Sequence, residues 1–377
     1  MPKGRKRKAF TVVELLVVIP MLAILAIVSV VGYTAFIKKS HDSNAITEAQ
    51  NVYTLYMGEH LFNEKTLEFM IYDANGRFVA LHNGAPIGIY SNTDDALASL
   101  VNDSNEYVMV QSLKNKMYLA FKIDDMDVSA FSNTYYNGKT IACIGDSVTV
   151  GVGVSDRSKR YASLLAGLLG ATENNLGASG TVLCTGGHRG CNISGLTDTT
   201  LNGADIVTIM MGVNDWDNSV KDGCFKGKLT YDASKTYYHL GELGTDDTTT
   251  VYGALKMWCD KIEELKQTEQ YKNTQFFFIT PHLTSWNNSV GSSKDWNPDK
   301  KNVHGYTQKE MRNAIIDVCN MYDIPVIDVY DYTVKLYNQD PTKYIKEYGG
   351  DGIHPTAACH QLITDYILMH LYIEADN

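Results

Sequence analysis

The spacing of hydrophobic and polar residues changes along the chain, and each change predicts a different structural element. After Glu14, an uncharged apolar run continues to Ile37, which is long enough for one helix to cross a bilayer. From His41 to about Asn63, apolar residues recur at intervals of three and four, so the helix is predicted to continue as a stalk. Short stretches of alternating apolar and polar residues follow, and they predict a small α+β headgroup.

The headgroup is predicted to contain two hairpins, with a short helix from about Asp94 to Val101 between them. The first hairpin turns at Asp73-Ala-Asn-Gly76, because Asn and Gly accept the positive φ angles of a tight turn. The four strands are Leu67 to Tyr72, Phe78 to His82, Tyr107 to Gln111 and Met117 to Ile123.

From residue 139 onwards, short apolar strands alternate with amphipathic helices. This alternation is typical of a parallel-sheet α/β domain with helices on both faces. The predicted strands are Thr140 to Ile144, Ile206 to Met210, Phe276 to Ile279 and Val326 to Val329. The predicted helices are Tyr161 to Leu169, Tyr252 to Lys266, Thr307 to Met321 and Pro355 to Tyr372.

These patterns divide the chain into five segments. They are a basic leader (1–9), a transmembrane and stalk helix (10–63), the α+β headgroup (64–127), a linker rich in Ser, Asn and Gly (128–138) and the α/β domain (139–377). A length of 377 residues suits two folded parts plus a targeting segment.

The distribution of charge limits the possible partners. The net charge is −10 even though the leader is basic, so the remainder of the chain is strongly acidic. Such a surface repels polyanions, and nucleic acid is therefore not expected as a partner. The cations of the leader are Lys3, Arg5, Lys6, Arg7 and Lys8.

The seven cysteines are too few for a disulfide scaffold. Cys184 and Cys191 are close enough in sequence to bridge a short loop, and the sequence leaves open whether they do. Together with His188 they lack a fourth ligand and depart from the usual zinc spacings, so neither a metal nor another cofactor is predicted.

A single carboxylate, Glu14, stands at the start of the apolar run, where it costs about 2.5–3.5 kcal/mol near mid-membrane and therefore needs a partner. The segment Lys-Ala-Phe-Thr-Val-Val-Glu-Leu-Leu-Val-Val-Ile, from Lys8 to Ile19, resembles the type IV prepilin signal. The resemblance implies that a prepilin peptidase cuts between Ala9 and Phe10. It also implies that Glu14 pairs with the amine of a neighbouring pilus or pseudopilus subunit.

The implied location is the bacterial cell membrane, crossed once, with the C-terminal domains outside at the cell surface or in a pilus. One departure from the prepilin pattern is Ala9, since that family usually has Gly before the cut. A plain signal anchor, oriented by its cytoplasmic Lys and Arg residues, is the alternative.

Four short segments of the α/β domain carry residues suited to acyl transfer. Ligands bind at the carboxyl ends of parallel strands, and Ser147 and Asn214 closely follow two of the predicted strands. Gly177 offers a backbone N–H where another chain segment must approach closely. Asp351 precedes His354 by three residues. A serine becomes nucleophilic when an imidazole takes its proton, and the imidazole in turn needs a carboxylate to hold its tautomer.

In this order, Ser147, Gly177, Asn214 and His354 match the four blocks of the SGNH, or GDSL-type, hydrolases, and residues 139 to 377 resemble that family. The resemblance implies a flavodoxin-like three-layer α/β/α fold and a serine esterase or acylhydrolase acting on carboxylic esters. Ser147 would be the nucleophile, His354 the general base and Asp351 its orienting carboxylate. The N–H groups of Ser147 and Gly177 and the Asn214 amide would form the oxyanion hole.

Two insertions, 217–250 and 284–305, flank the predicted site and carry aromatic residues among many polar ones. This mixture favours a carbohydrate or glycan bearing acetyl or other short acyl groups as the substrate, and a lipid acyl ester is the alternative. The rival function is a non-enzymatic minor pilin or adhesin with a hydrolase-like binding head. The aromatic residues are Trp216, directly before the first insertion, and Tyr231, Tyr237, Tyr238, Trp286 and Trp296 within the two insertions.

Overall fold

The computed structural model describes residues 37–57, 67–100, 107–112, 116–122, 135–186, 190–218, 238–287, 294–302 and 304–374. The predicted cleavage site between Ala9 and Phe10, Glu14 and nearly all of the apolar run lie outside these residues. Among the helices that the structure does describe, none is both long and apolar enough to span a membrane. The described residues form two compact units, one within Met1–Leu61 and Glu68–Asn102 and the other within Phe62–Leu67 and Asp103–Asn377.

In the first unit a helix packs beside three antiparallel strands. The helix, α1 (37–57), buries Ala45, Ala49 and Tyr56 on one face. The Gln50 side chain donates a hydrogen bond to the Gly84 carbonyl at 3.2 Å. The remaining elements are β1 (Leu67–Asp73), β2 (Phe78–His82), β3 (Ala85–Tyr90) and α2 (Thr93–Leu100).

The predicted hairpin between β1 and β2 is confirmed. Asn75 and Gly76 have φ angles of 55° and 81°, as a two-residue turn between twisted strands requires. Strand β3 was not predicted, because Pro86 and Gly88 interrupt the usual strand pattern.

The second unit begins with the other predicted hairpin, β4 (Tyr107–Ser112) paired antiparallel with β5 (Met117–Lys122). Four described residues, 135–138, belong to the end of the predicted linker. Tyr136 is fully buried there, and its hydroxyl donates to the Leu371 carbonyl at 3.0 Å. The end of this segment is therefore anchored to the α/β domain.

The α/β domain is built on a parallel sheet of β6 (Thr140–Gly145), β7 (Thr172–Gly177), β8 (Ile206–Met210), β9 (Gln275–Ile279) and β12 (Val326–Ile327). The strand order is β12-β9-β8-β6-β7, and all neighbouring strands run parallel. Counted from the first strand of the domain, this is the flavodoxin-like order 2-1-3-4-5. The predicted α/β fold is confirmed.

Helices connect these strands. They are α3 (Ser147–Val150), α4 (Tyr161–Leu169), α5 (Asp198–Leu201), α6 (Val213–Asn218), α7 (Val251–Lys266), α8 (Gln308–Met321), α9 (Val329–Gln339), α10 (Pro341–Lys343), a π-helical turn (Tyr344–Tyr348) and α11 (Ala357–Glu374). A two-residue antiparallel pair, β10 (Trp286–Asn287) and β11 (Lys294–Asp295), precedes α8.

Both faces of the sheet are covered. Alternate strand residues such as Ile144, Ile209 and Phe278 belong to one buried cluster with side chains of α7 and α8. Because side chains alternate along a strand, the intervening buried residues point to the opposite face. Helices α4 and α11 pack together, and the Tyr161 N–H donates to His360 Nδ1 at 3.1 Å.

Two strands differ from the prediction. Strand β7 was missed because its sequence, Thr-Glu-Asn-Asn-Leu-Gly, has no apolar pattern and lies at the edge of the sheet. The strand predicted over Val326 to Val329 ends at Ile327, because the Asp328 side chain accepts a hydrogen bond from the Asp331 N–H and caps α9.

Candidate active site

Ser147 lies in a tight turn from β6 into α3, which we call the nucleophile turn (residues 145–151). A Cβ atom at Gly145 would lie 1.9 Å from Thr149 Oγ1, so only glycine allows the helix to start so close to the strand. Asp146 caps the helix by accepting the Val148 N–H at 2.9 Å. Ser147 is the first residue of α3 and is 6% exposed.

Asp351 and His354 lie in the segment before α11, which we call the acid–base loop (residues 349–355). His354 Nε2 is 2.9 Å from Ser147 Oγ, and His354 Nδ1 is 2.7 Å from Asp351 Oδ2. The other Asp351 oxygen accepts the N–H groups of Ile353 at 2.9 Å and His354 at 2.7 Å. The structure thus brings together the three residues predicted as a catalytic triad.

The Asp351 carboxyl stays ionised in this setting. Burial alone would raise its pKa, but hydrogen bonds from the His354 ring and from the His354 and Ile353 N–H groups outweigh burial and hold the pKa well below its ordinary value. Since a carboxylate only accepts hydrogen bonds, Nδ1 of His354 carries a hydrogen, which leaves Nε2 able to take the Ser147 proton.

The other predicted segments emerge at the same edge of the sheet. In the strand register, Gly145 is paired with Gly177 on one side and with Met210 on the other. The backbone N–H of Ser147 has no hydrogen-bond partner within the described ranges, as expected for the first turn of a helix. This N–H is therefore available to an oxyanion.

The Gly177 N–H, predicted as an exposed donor, donates to Asn175 Oδ1 at 3.1 Å. A Cβ atom at Gly177 would lie 2.7 Å from the Val150 nitrogen, so close packing against the end of α3 explains this glycine. Three residues further on, Gly180 has a φ angle of 79°, and its N–H has no partner in the described part of the chain.

Asn214 lies in the first turn of α6 and is 5% exposed. Its Nδ2 donates to the Thr181 carbonyl at 2.9 Å, which uses one of the two amide hydrogens. Next to it, the buried Asp215 accepts the N–H groups of Leu183 and Cys184, each at 3.0 Å. Burial raises the pKa of Asp215. These bonds join the segment after Gly180 to α6.

Residues 143–362 match the model of the GDSL-like Lipase/Acylhydrolase family, which is more than half of the 377 residues. The chain belongs to this family. The GDSL-type resemblance predicted from the sequence is confirmed, and with it the assignment to the hydrolases. A comparison with curated proteins finds no match.

Several solved structures are similar to this GDSL-like hydrolase. A protein from Lactobacillus plantarum is 23% identical, with 62% of this chain and 97% of that chain covered and a TM-score of 0.46. A possible lipase from Chitinophaga pinensis DSM 2588 is 17% identical, with 61% and 96% covered and a TM-score of 0.41. A mutant of an acetyl-xylooligosaccharide esterase from Geobacillus Stearmophilus is 16% identical, with 62% and 94% covered and a TM-score of 0.41.

Some residues that shape the GDSL-like site were not recognised in the sequence. Asn192 is buried, and its Nδ2 donates to the carbonyls of Gly145 at 3.0 Å and Leu176 at 3.2 Å, so it ties together the ends of β6 and β7. Nothing in the pattern around Asn192 indicates this contact. Gly180, by contrast, stands three residues after Gly177. A second glycine in so short a segment could have been recognised from the sequence as a candidate backbone donor.

The aromatic residues predicted to face a carbohydrate do not form one exposed surface. Trp216, Tyr238 and Trp296 are 2%, 0% and 5% exposed, so their interpretation as carbohydrate-facing rings is wrong. Trp296 packs edge-on against Tyr344, and a Cβ atom at Gly349 would meet its ring at 2.7 Å. Trp296 therefore packs against the start of the acid–base loop. Tyr231 and Tyr237 lie outside the described residues, and for Trp286 only the backbone is described.

Cys184 and Cys191, for which the sequence leaves a bridge open, are both free in this structure. Cys184 is buried, and the Cys191 thiol donates to the Leu183 carbonyl at 2.9 Å. Burial raises the pKa of both thiols, which makes them poor nucleophiles at neutral pH. Within the described ranges, no three His, Cys, Asp or Glu residues are grouped as a metal site would require.

Proposed function

We propose that the α/β domain hydrolyses carboxylic esters by a Ser-His-Asp mechanism. The observation that carries this proposal is the continuous pair of hydrogen bonds from Ser147 Oγ through His354 to Asp351, at 2.9 and 2.7 Å. Ser147 is the nucleophile, His354 the general base and Asp351 the carboxylate that orients it. This arrangement meets the geometric requirement for an activated serine.

The proposed reaction has two halves. Ser147 Oγ attacks the acyl carbonyl as its proton passes to His354 Nε2, and the tetrahedral intermediate then expels the alcohol, which takes that proton. Water then attacks the resulting acyl-enzyme as it gives a proton to the same nitrogen. The carboxylic acid then leaves, and the proton returns to Ser147 Oγ.

The negative oxygen of each tetrahedral intermediate needs donors that are already in place. The Ser147 N–H and the Asn214 amide are two of them in this proposal. For the third, the Gly180 N–H is a better candidate than the predicted Gly177 N–H, because Gly177 already donates to Asn175. Asn175 also donates to the Thr149 carbonyl at 2.9 Å, so this competing acceptor is itself held in place.

Labelling with a fluorophosphonate separates this enzyme from the rival, a non-enzymatic pilin or adhesin with a hydrolase-like binding head. We expect the wild type to be labelled and to hydrolyse p-nitrophenyl acetate. Ser147→Ala should do neither, while the exposed Ser155→Ala should behave as the wild type. A folded wild type that is neither labelled nor active would support the binding head.

The proposed substrate is a carbohydrate or glycan that carries acetyl or other short acyl groups. In support, the segment beside the site, Gly-Ala-Ser-Gly-Thr from Gly177 to Thr181, consists of small residues, two of which carry hydroxyl groups, and Ser179 is exposed. Acetylated polysaccharide should then be deacylated faster than a long-chain p-nitrophenyl ester. The reverse preference would favour the alternative, a lipid acyl ester.

We also propose that the chain is processed and anchored as a type IV pilin-like protein at the cell surface. The support is the segment from Lys8 to Ile19, followed in the first unit by a helix that packs beside antiparallel strands. Mass spectrometry of the mature N-terminus is the test. A chain starting at Phe10 indicates cleavage by a prepilin peptidase, whereas an uncut chain indicates a plain signal anchor.

A further inference from the structure

A buried histidine outside the triad contacts the backbone of the acid–base loop. His282 follows β9 and is 3% exposed. Its Nε2 lies 3.0 Å from the carbonyl oxygen of Ile353, the residue directly before His354. Because a carbonyl oxygen only accepts hydrogen bonds, Nε2 of His282 carries the hydrogen and donates it.

The segment that carries His282 is itself held by neighbouring helices. Gln308, at the start of α8, donates to the His282 carbonyl at 2.6 Å and accepts the Thr284 N–H at 3.1 Å. The Leu283 N–H donates to Thr333 Oγ1 on α9 at 2.8 Å. These bonds hold the backbone at His282 and at the two residues after it, and so they fix the position from which the buried His282 ring extends.

Two successive carbonyls of the acid–base loop are attached to this fixed segment. The Gly352 carbonyl accepts the Ser285 N–H at 2.7 Å, and the Ile353 carbonyl accepts the His282 ring. The Asp351 side chain is 60% exposed, and its hydrogen bonds join only residues of the same loop. The position of the loop therefore depends on contacts from outside it. A shift of the Ile353 peptide would move the next residue, His354.

We propose that His282 is a positioning residue for ester hydrolysis: its Nε2–H holds the Ile353 peptide so that the His354 ring stays aligned between Asp351 and Ser147. The inference rests on the proposed Ser-His-Asp function. Burial lowers the pKa of His282 to about 4, so the ring remains a neutral donor at the pH values at which an imidazole base works.

Two substitutions separate this role from simple packing. His282→Leu removes the donor, whereas His282→Gln places an amide N–H close to where Nε2 was. We expect kcat of the Leu variant to fall about 10- to 100-fold with KM nearly unchanged, since a small misplacement of a catalytic group costs rate. The Gln variant should recover most of kcat. All assays are run well below the melting temperature of each variant.

His370 provides the matched control. It is also buried, but its Nδ1 bonds to the Tyr366 carbonyl within α11. His370→Leu should lose stability and keep kcat. Wild-type kcat in folded His282→Leu would overturn the proposal, and so would equal losses in the Leu and Gln variants. Wild-type turnover in Ser147→Ala would instead refute the proposed function, so the two failures are distinguishable.

A measurement on the wild type covers the case in which His282→Leu does not fold. Nitrogen-15 NMR of the full-length protein should show His282 as the Nε2–H tautomer with a hydrogen-bonded proton. It should also show a low-field proton for the His354 Nδ1–H bond to Asp351, which His282→Gln retains. An Nδ1–H tautomer at His282 would overturn the proposal.

Discussion

The two halves of the candidate site are built in different ways. The helix start at Ser147 is set by bonds within the nucleophile turn, such as the Val148 N–H to Asp146 and the Gly151 N–H to the Val148 carbonyl at 2.9 Å. The acid–base loop depends on residues more than 60 positions away, since His282 and Ser285 hold its carbonyls. Asn192 and Asn175 also donate to carbonyls of the nucleophile turn, but the cap that starts α3 at Ser147 is local. The carbonyls beside His354 are held by distant residues.

This difference predicts where the site is vulnerable. Most substitutions far from Asp146 should leave the start of α3 in place, because the side chain that caps this helix comes from an adjacent residue. Distant substitutions behind the acid–base loop should instead move the base and lower kcat. The experiments below compare the two halves, in order of decreasing expected effect.

Removing either reacting partner should have the largest effect. Ser147→Ala and His354→Ala should each lower kcat by about 10⁶-fold, because the two groups act as one unit. The double variant should be no worse than either single one. Steady-state kinetics with p-nitrophenyl acetate is the measurement. Additive losses in the double variant would contradict a shared proton transfer.

Asp351→Asn should cost about 10⁴-fold or less in kcat, since the imidazole survives but its tautomer is poorly held. The exposed position of this side chain should let water replace part of its effect. Fluorophosphonate labelling should slow in parallel with ester hydrolysis. A loss as large as that of His354→Ala would show that the carboxylate does more than orient the ring.

Asn214→Ala should lower kcat by about 10²- to 10³-fold with little change in KM, because an oxyanion donor acts mainly in the transition state. The loss of its bond to Thr181 is monitored by thermal unfolding. The exposed Asn320→Ala is the control and should match the wild type. An increase in KM alone would assign Asn214 to substrate binding.

The smallest expected effect is on how the free energy of unfolding depends on pH. Burial lowers the pKa of His282 to about 4 and that of His360 to about 3, and these residues contact the acid–base loop and the start of α4. The unfolded chain takes up protons below about pH 6.5, whereas these buried rings do not, so acid favours unfolding. Between pH 7 and 5 each ring should remove about 2 kcal/mol from the free energy of unfolding.

Chemical denaturation of wild type and His360→Asn at both pH values measures this contribution. The Asn side chain keeps an acceptor near the position of Nδ1 for the Tyr161 N–H but does not titrate. The fall in unfolding free energy should be smaller in the variant, and the difference isolates the histidine from the acidic groups. An equal fall in the unfolding free energy of the two proteins between pH 7 and 5 would mean that His360 is not a buried neutral ring.

Much of the fold was predictable because periodicity reports which face of a segment is buried. The strands β6, β8 and β9 and the helices α7 and α8 were found in this way. Strand β7 was not, because its polar residues are satisfied by specific partners, such as the Thr200 carbonyl that accepts from Asn174 at 2.8 Å. Side-chain hydrogen bonds of this kind leave no periodic signal.

By itself, the sequence determined the order of the main helices and apolar strands, the family and the three residues whose hydrogen bonds form the Ser-His-Asp chain. These features depend on local patterns and on short motifs that are readable one segment at a time. The tertiary structure alone decided that Trp216, Tyr238 and Trp296 are buried, that the Gly177 N–H donates to Asn175 and that His282 bonds to the Ile353 carbonyl. The physical reason is that burial and hydrogen-bond partners depend on which distant segments meet, and a local pattern does not record that meeting.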